Sequence, residues 1–166
     1  LFKQLTVLEN IILAMNHKRK INFFASLLPF GAGKKELNMV TEQAIQYLEY
    51  ANLVEFKDLK AENLSYGKQR ELEICRAIAT GADLILLDEP AAGLNPSETT
   101  QLMEIIRNIK NDLNKSIFLI EHDMKLVMGI SDRIVVLDYG EKIAEGAPTD
   151  IRNNPQVIKA YLGKGE

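Results

Sequence analysis

Leu84-Ile85-Leu86-Leu87-Asp88-Glu89-Pro90 decides how the rest of the chain is read. Four consecutive apolar residues run into two carboxylates and a proline. An unbroken apolar run of this length predicts a strand covered on both faces, as in a parallel sheet flanked by helices. Each such side chain contributes roughly 1.5–3 kcal/mol when fully buried, so the strand is expected to anchor a core. Asp88 and Glu89 then fall where the strand leaves the sheet, the edge at which open α/β sheets bind ligands. Pro90 has no N–H to donate and ends the pairing.

Working outward, Asn95-Pro96-Ser97-Glu98 is a strong helix start, with Asn95 as cap, Pro96 at the first position and Glu98 at the third. That helix is expected to run to about Leu113. Ser116–Ile120 reads as a second buried strand and ends in Glu121-His122-Asp123, so polar residues again mark a strand end. Asp123 caps a helix through Ile130. Ile134–Leu137 is a third strand, turning at Tyr139-Gly140 into an edge hairpin through Ala144. Two short helices follow, the second entered through Asn154-Pro155.

Upstream, Asn63-Leu64-Ser65-Tyr66-Gly67-Lys68-Gln69 opens a helix with Ser65 at the cap position. Leu72, Cys75, Ile78 and Ala79 share one side of it, and Gly81 closes it. A serine and a glycine at a helix N-terminus also suit an anion, because N–H groups and the positive dipole end point outward. The first third reads as helical. Thr6 and Glu9 form a capping box for a helix reaching Met15, and a second helix runs from Glu36 to about Ala51. Between them lie His17-Lys18-Arg19-Lys20 and the Phe23–Phe30 segment, read as a surface loop with a short packed helix. Gly31-Ala32-Gly33-Lys34-Lys35 superficially suggests a phosphate loop. It lacks the first glycine, the hydroxyl residue and a leading strand of G-x-x-x-x-G-K-[ST], so a flexible basic turn is expected.

The 166 residues hold 46% hydrophobic and 26% charged residues, with a net charge of −3. That composition is ordinary for a globular domain and gives no electrostatic footprint for nucleic acid. A single cysteine, Cys75, fits a reducing compartment. No apolar run approaches the roughly 20 residues needed to span a bilayer. The chain begins at Leu1 within apparently structured sequence and reads as a fragment.

An anion-binding helix start at Ser65, two carboxylates at Asp88-Glu89 and a histidine at His122 make a coherent set for phosphate hydrolysis. Asp88 suits water-mediated Mg²⁺ binding, because hard oxygen donors suit that ion. Glu89 suits a general base for water, and His122 a donor to a terminal phosphate. Spacing alone leaves these roles open.

Leu64-Ser65-Tyr66-Gly67-Lys68-Gln69 resembles the signature motif of ABC-transporter ATPases. Leu84–Glu89 resembles their Walker B strand with its catalytic glutamate, Ala92-Gly93-Leu94-Asn95 their D-loop, and His122 their switch histidine. Order and spacing agree along essentially the whole chain. Leu72–Arg76, Asp88–Pro96, Glu121–Arg133 and Arg152–Gly163 are similar to the branched-chain amino-acid importer ATPases in particular. Lys68, and Asn95 where many relatives have Asp, look like subfamily variation.

The resemblance implies the C-terminal part of a P-loop NTPase-like (RecA-like) α/β core with an N-terminal helical subdomain. Residues 1–80 would form the helical subdomain ending in the signature helix, and 81–166 the core with Walker B, D-loop and switch histidine. It implies ATP and Mg²⁺, with Glu89 and His122 catalytic and Asp88 holding the metal through water. Ser65, Gly67 and Gln69 would meet ATP held by the opposite subunit, and Asn95 would serve in the D-loop. Implied partners are transmembrane permease subunits, a second ATPase subunit and, indirectly, an external amino-acid-binding protein. No nucleic acid is implied. The expected location is the cytoplasmic face of a bacterial or archaeal cell membrane. Walker A, the adenine-stacking aromatic and the Q-loop glutamine are expected upstream of Leu1, so these residues alone would neither bind ATP tightly nor hydrolyse it. Early strands would be missing too, leaving apolar edges open to strand exchange. Importers of polar amino acids, lipopolysaccharide exporters and ABC-type ATPases without a membrane partner remain alternatives.

Overall fold

The computed structural model describes residues 1–15 and 32–161, with only the main chain considered at 32–36. The His17–Lys20 and Phe23–Phe30 readings, and the end of the Arg152–Gly163 match, lie outside the described residues. The chain divides into two compact units, Leu1–Leu119 and Ile120–Glu166.

The first unit begins with α1 (Val7–Met15), α2 (Ala32–Glu49) and two single 3₁₀ turns, Val54–Phe56 and Ala61–Asn63. Then come α3 (Tyr66–Ala79), β1 (Leu84–Asp88), α4 (Pro96–Leu113) and β2 (Ser116–Ile120), whose last residue is the first of the second unit. The expected capping box is present at α1. Glu9 N donates to Thr6 Oγ1 at 3.1 Å and Thr6 N to Glu9 Oε2 at 2.7 Å. Those bonds hold the Glu9 carboxyl below the usual carboxylate range.

A buried asparagine, Asn10, fixes the segment ahead of α1. Its Oδ1 accepts from Phe2 N at 3.0 Å, and its Nδ2 donates to the Phe2 and Thr6 carbonyls at 3.0 and 2.9 Å. Buried amides persist only when paired in this way. Around it, α1 packs on α2 and α3, and α3 on α4. Val7, Ile11, Leu48, Leu53, Leu72, Ile78, Leu102 and Ile109 are fully enclosed.

Two expectations change here. Ala32–Lys35 is not a basic turn but the first turn of α2, which starts four residues before Glu36. Alanine and lysine favour helix, and the single Gly33 costs only about 1 kcal/mol, which the rest of an 18-residue helix outweighs. Gly31 lies outside the described residues. Nor is β1 covered on both faces. Ile85 and Leu87 are buried, while Leu84 and Leu86 are 56% and 69% exposed. Among the described residues β1 pairs only with β2, on which Phe118 is also exposed, and helices of this unit cover one face alone. An apolar run states which side chains prefer burial; it does not supply the layer that buries them.

Ser116 N donates to Asp83 O at 2.9 Å, and Lys115 Nζ lies 3.1 Å from Asp83 Oδ1. The two strands therefore start side by side and run in the same direction, joined by α4 as the crossover.

The second unit carries α5 (Met124–Ile130), β3 (Ile134–Asp138), β4 (Glu141–Gly146), α6 (Pro148–Arg152) and α7 (Pro155–Tyr161). β3 and β4 form the expected antiparallel hairpin. Tyr139 and Gly140 both take positive φ, 46° and 84°, as a two-residue turn of type I′ requires. The register shifts between Val136 and Leu137, so Ile143 has no partner across the ladder. Ile134, Val136, Ile151 and Val157 form the core of this unit, with Met124, Val127 and Met128 packed on it. Glu145 pairs with Lys142 on its own strand and with Arg133 from the other side of the hairpin, and the Lys142 bond and Arg133 charge hold its carboxyl below the ordinary range.

Cys75 is enclosed on α3, with Sγ 3.4 Å from the Tyr47 carbonyl. Burial, aided by the nearby Glu71 charge, pushes its thiol up to about 12. The folded protein is expected to leave Ellman's reagent unreacted at pH 8, with one thiol appearing on unfolding in urea. Immediate reaction of the native protein would contradict this packing.

Candidate functional site

Three consecutive pieces of the first unit converge on one end of β1. The first is the start of α3. Ser65 has extended backbone, and its Oγ accepts from Lys68 N at 3.4 Å, so it is the N-cap. The amides of Tyr66 and Gly67 belong to the first turn, whose N–H groups have no intrahelical acceptor. Gln69 turns back on the chain, its Nε2 donating to Leu64 O at 3.0 Å. That bond closes the loop ahead of the cap and commits the amide to the main chain. Lys68 pairs with the buried Glu71 at 2.8 Å and lies over the Phe56 ring, which anchors the same turn from outside.

The second piece is the acidic strand end. Asp88 is the last residue of β1 and is exposed. Glu89, also exposed, has φ 43°, in the left-handed region. A side chain there costs about 1–2 kcal/mol. Among the described residues four non-glycine residues share this conformation, and their types differ in an informative way. Asn52 and Asn114 are the residue type that tolerates it, and Tyr139 sits in the hairpin turn. Glu89 has neither excuse. Strain held at a polar strand end is characteristic of functional sites.

The third piece is the loop into α4. Ala92 N donates to Glu89 O and Leu94 N to Ala91 O, both at 3.1 Å. Gly93 takes φ 78°, which a glycine adopts without strain. Asn95 Oδ1 accepts from Ser97 N and Glu98 N at 2.9 and 3.0 Å, and Glu98 Oε2 accepts from Asn95 N at 2.9 Å. The capping box read from the sequence is thus complete, and the Asn95 side-chain oxygen belongs to it.

The start of α3 meets this loop directly. Tyr66 Oη donates to Ala92 O at 3.1 Å, and a Cβ added to Gly67 would come within 2.7 Å of Glu98 Oε1. Neither contact was visible in the sequence, because no local spacing pairs Tyr66 with Ala92 or Gly67 with Glu98.

His122 opens the second unit. Its main-chain N donates to Glu121 Oε2 at 3.1 Å, its Nδ1 lies 3.9 Å from the same oxygen, and its side chain is largely exposed. Asp123 Oδ1 then caps α5 through Lys125 N and Leu126 N at 2.9 and 3.1 Å. So Ser65, Gly67, Gln69, Asp88, Glu89 and Asn95 lie in one unit, and His122 in the other.

Among the described residues no group of three or more His, Cys, Asp or Glu could hold a metal ion by itself. Asp88, an exposed carboxylate at a strand end, fits the role Mg²⁺ asks of a protein, which is one or two carboxylates with the rest of its shell from water and substrate phosphates. Among the described residues no helix is long and apolar enough to cross a membrane.

A crossover βαβ pair with an anion-suited helix start beside an acidic strand end defines a nucleotide-triphosphatase type of fold. Residues 1–92 match the ABC transporter family model, and 141–166 match that of the branched-chain amino acid ATP-binding cassette transporters. The chain belongs to the ABC transporter family. It is 48% identical over 164 residues to the high-affinity branched-chain amino acid transport ATP-binding protein LivG of Salmonella typhimurium, covering 99% of this chain and 64% of that protein. The BraF protein of the same description from Pseudomonas aeruginosa is 47% identical with the same coverage. The chain thus spans just under two thirds of the curated relatives it matches. Among solved structures it superimposes on an ATP-binding cassette of an ABC transporter in its ADP conformation, with a TM-score of 0.74 and 29% identity over 98% of this chain and 65% of that one. A dimeric cassette bound to ADP and Pi gives a TM-score of 0.69 at 25% identity, over 89% of this chain and 59% of that one.

Proposed function

We propose that the whole protein carrying this chain is the ATP-hydrolysing subunit of an ABC importer of branched-chain amino acids. The observation that carries the reading is Glu89, held in a strained left-handed conformation immediately beyond the strand-end Asp88. In this reading Glu89 is the general base that takes the proton of the attacking water. Its carboxylate is exposed, so water reaches it, and the turn closed by Ala92 N fixes its main chain. Asp88 would hold Mg²⁺ through water, and that ion would neutralise charge on the transferring phosphate. His122 donates a hydrogen bond to the terminal phosphate.

Ser65 and Gly67 present the first-turn amides of α3 to the terminal phosphate of ATP bound by an opposite subunit. Gln69 holds that turn closed through Leu64 O. Residues 1–80 serve as the helical subdomain ending in the signature helix, with the helices within about residues 5–60 facing the permease, and residues 81–166 as the C-terminal part of the ATPase core. The partners are two permease subunits, a second ATPase subunit and, indirectly, an amino-acid-binding protein outside the cell. The protein sits on the cytoplasmic face of the cell membrane. The substrate class rests on the names of the relatives at 47–48% identity. The ATPase itself need not touch the amino acid.

The test uses the whole protein assembled with its permease in proteoliposomes. ATP hydrolysis is expected to rise severalfold when the binding protein is loaded with leucine or valine, and to stay at its basal level with a polar amino acid. Stimulation by a polar amino acid alone would replace the substrate class. Absence of any hydrolysis would remove the ATPase reading.

A further inference from the structure

Tyr66 joins two parts of the site that the function described above assigns to different nucleotides. The start of α3 serves ATP across the dimer, whereas Asp88 and Glu89 serve ATP on their own subunit. Tyr66 Oη donates to the Ala92 carbonyl at 3.1 Å, and Arg70 Nε donates to Tyr66 Oη at 3.1 Å. Arg70 lies over the Tyr66 ring at 5.3 Å and pairs with Glu73 at 2.8 Å, so the phenol is held from its own helix. The ring also lies beside Gly93, where an added Cβ would approach Tyr66 Cε1 to 3.1 Å. One residue along, Gly67 has no room for a Cβ, which would meet Glu98 Oε1 at 2.7 Å. Glu98 cannot simply swing away, because its other oxygen accepts from Asn95 N in the capping box.

We infer that Tyr66 is a positioning residue that locks the turn 89–95 to the first turn of α3, so that Glu89 and the opposite subunit's ATP are set by one rigid connection. The inference rests on the proposed ATPase function for its kinetic consequence and on geometry alone for the connection. A hydroxyl that only stabilised the fold would change the stability of the unit. A hydroxyl that places Glu89 changes turnover at unchanged stability, because Ala92 is only half-buried and none of the turn's side chains belongs to the buried hydrophobic core. The bond from Ala92 N to Glu89 O passes the constraint directly to the main chain of the glutamate.

Tyr66→Phe in the whole protein keeps the ring on Gly93 and removes only the hydroxyl. The expected result is a kcat for ATP hydrolysis lower by about fivefold, the scale of one hydrogen bond. KM for ATP is expected to stay within about twofold, with the urea midpoint unchanged. In parallel, hydrogen exchange of the Ala92 and Leu94 amides is expected to quicken at least severalfold, while the Leu102–Ile109 amides of α4 keep their protection. Unchanged kcat, unchanged exchange at Ala92 and Leu94, or a loss of activity that tracks a loss of stability would each overturn the inference. If the wild-type protein hydrolyses no ATP, the proposed function falls, and exchange at Ala92 and Leu94 in Tyr66→Phe still decides whether the hydroxyl holds the turn.

Discussion

Replacing Glu89 by glutamine is expected to lower ATP hydrolysis by the whole protein at least about 100-fold, the scale of a positioned general base. ATP binding is expected to stay within about threefold. Glutamine is the substitution that isolates the chemistry. It keeps the length and shape of the side chain and suffers the same left-handed penalty at φ 43° as glutamate, so the strained turn is unchanged. It removes the charge and the ability to take a proton. Glycine would not isolate anything, because it would also relieve the backbone. The contrast with Asp88 is equally informative. Asp88→Asn is adjacent, also exposed and also removes one charge, but in the proposed role of holding Mg²⁺ through water Asp88 would serve binding as well as chemistry. Single-turnover measurement of hydrolysis, beside equilibrium binding of a fluorescent ATP analogue, separates the two. A Glu89→Gln protein that kept more than about a third of its turnover would transfer the role of base to another group.

The parts of this site that could be read from the sequence are those made within three or four residues. The boxes of Thr6 with Glu9 and of Asn95 with Glu98, and the caps Ser65 and Asp123, all close bonds to the next turn, so composition and spacing contain the whole interaction. The hairpin at Tyr139-Gly140 is local in the same way. What escaped depends on chain segments that meet only after folding. Tyr66 reaches Ala92, 26 residues further along the chain, and nothing in either short motif requires an aromatic hydroxyl to find a particular carbonyl. Asn10 reads as one polar residue on an apolar helix, yet it is enclosed and holds Phe2 and the carbonyl of Thr6. The apolar run of β1 predicted a strand correctly and its covering wrongly. A strand's preference for burial is intrinsic, whereas the second layer over Leu84 and Leu86 must come from elsewhere. The left-handed φ at Glu89 was equally hidden, since glutamate is not a residue that announces it.

The largest expected effect on stability is at Leu72. Leu72→Ala is expected to destabilise the first unit by about 3 kcal/mol, the usual scale for removing a fully buried leucine. Leu72 is completely enclosed on α3, which packs on α1, α2 and α4, so no single neighbour can move to fill the space. Leu37→Ala is the matched control. It deletes the same atoms from α2 at a position 58% exposed and leaves no cavity, and alanine is the better helix former. Its expected effect is within about 0.5 kcal/mol. Urea unfolding reads both, with the midpoint shifting for Leu72 and the slope constant for each variant. Leu72 also lies two turns into the helix whose first turn carries Ser65 and Tyr66. The core beneath α3 therefore sets where the first-turn amides of α3 stand, and the cavity should loosen them in proportion to the stability lost. Tyr66→Phe loosens the neighbouring turn with no cavity at all. If Leu72→Ala cost less than about 1 kcal/mol, the first turn of α3 would have to be held by its polar bonds to Ala92, Leu64 and Glu71 rather than by the core, and Tyr66→Phe would then have to show in stability as well as in rate.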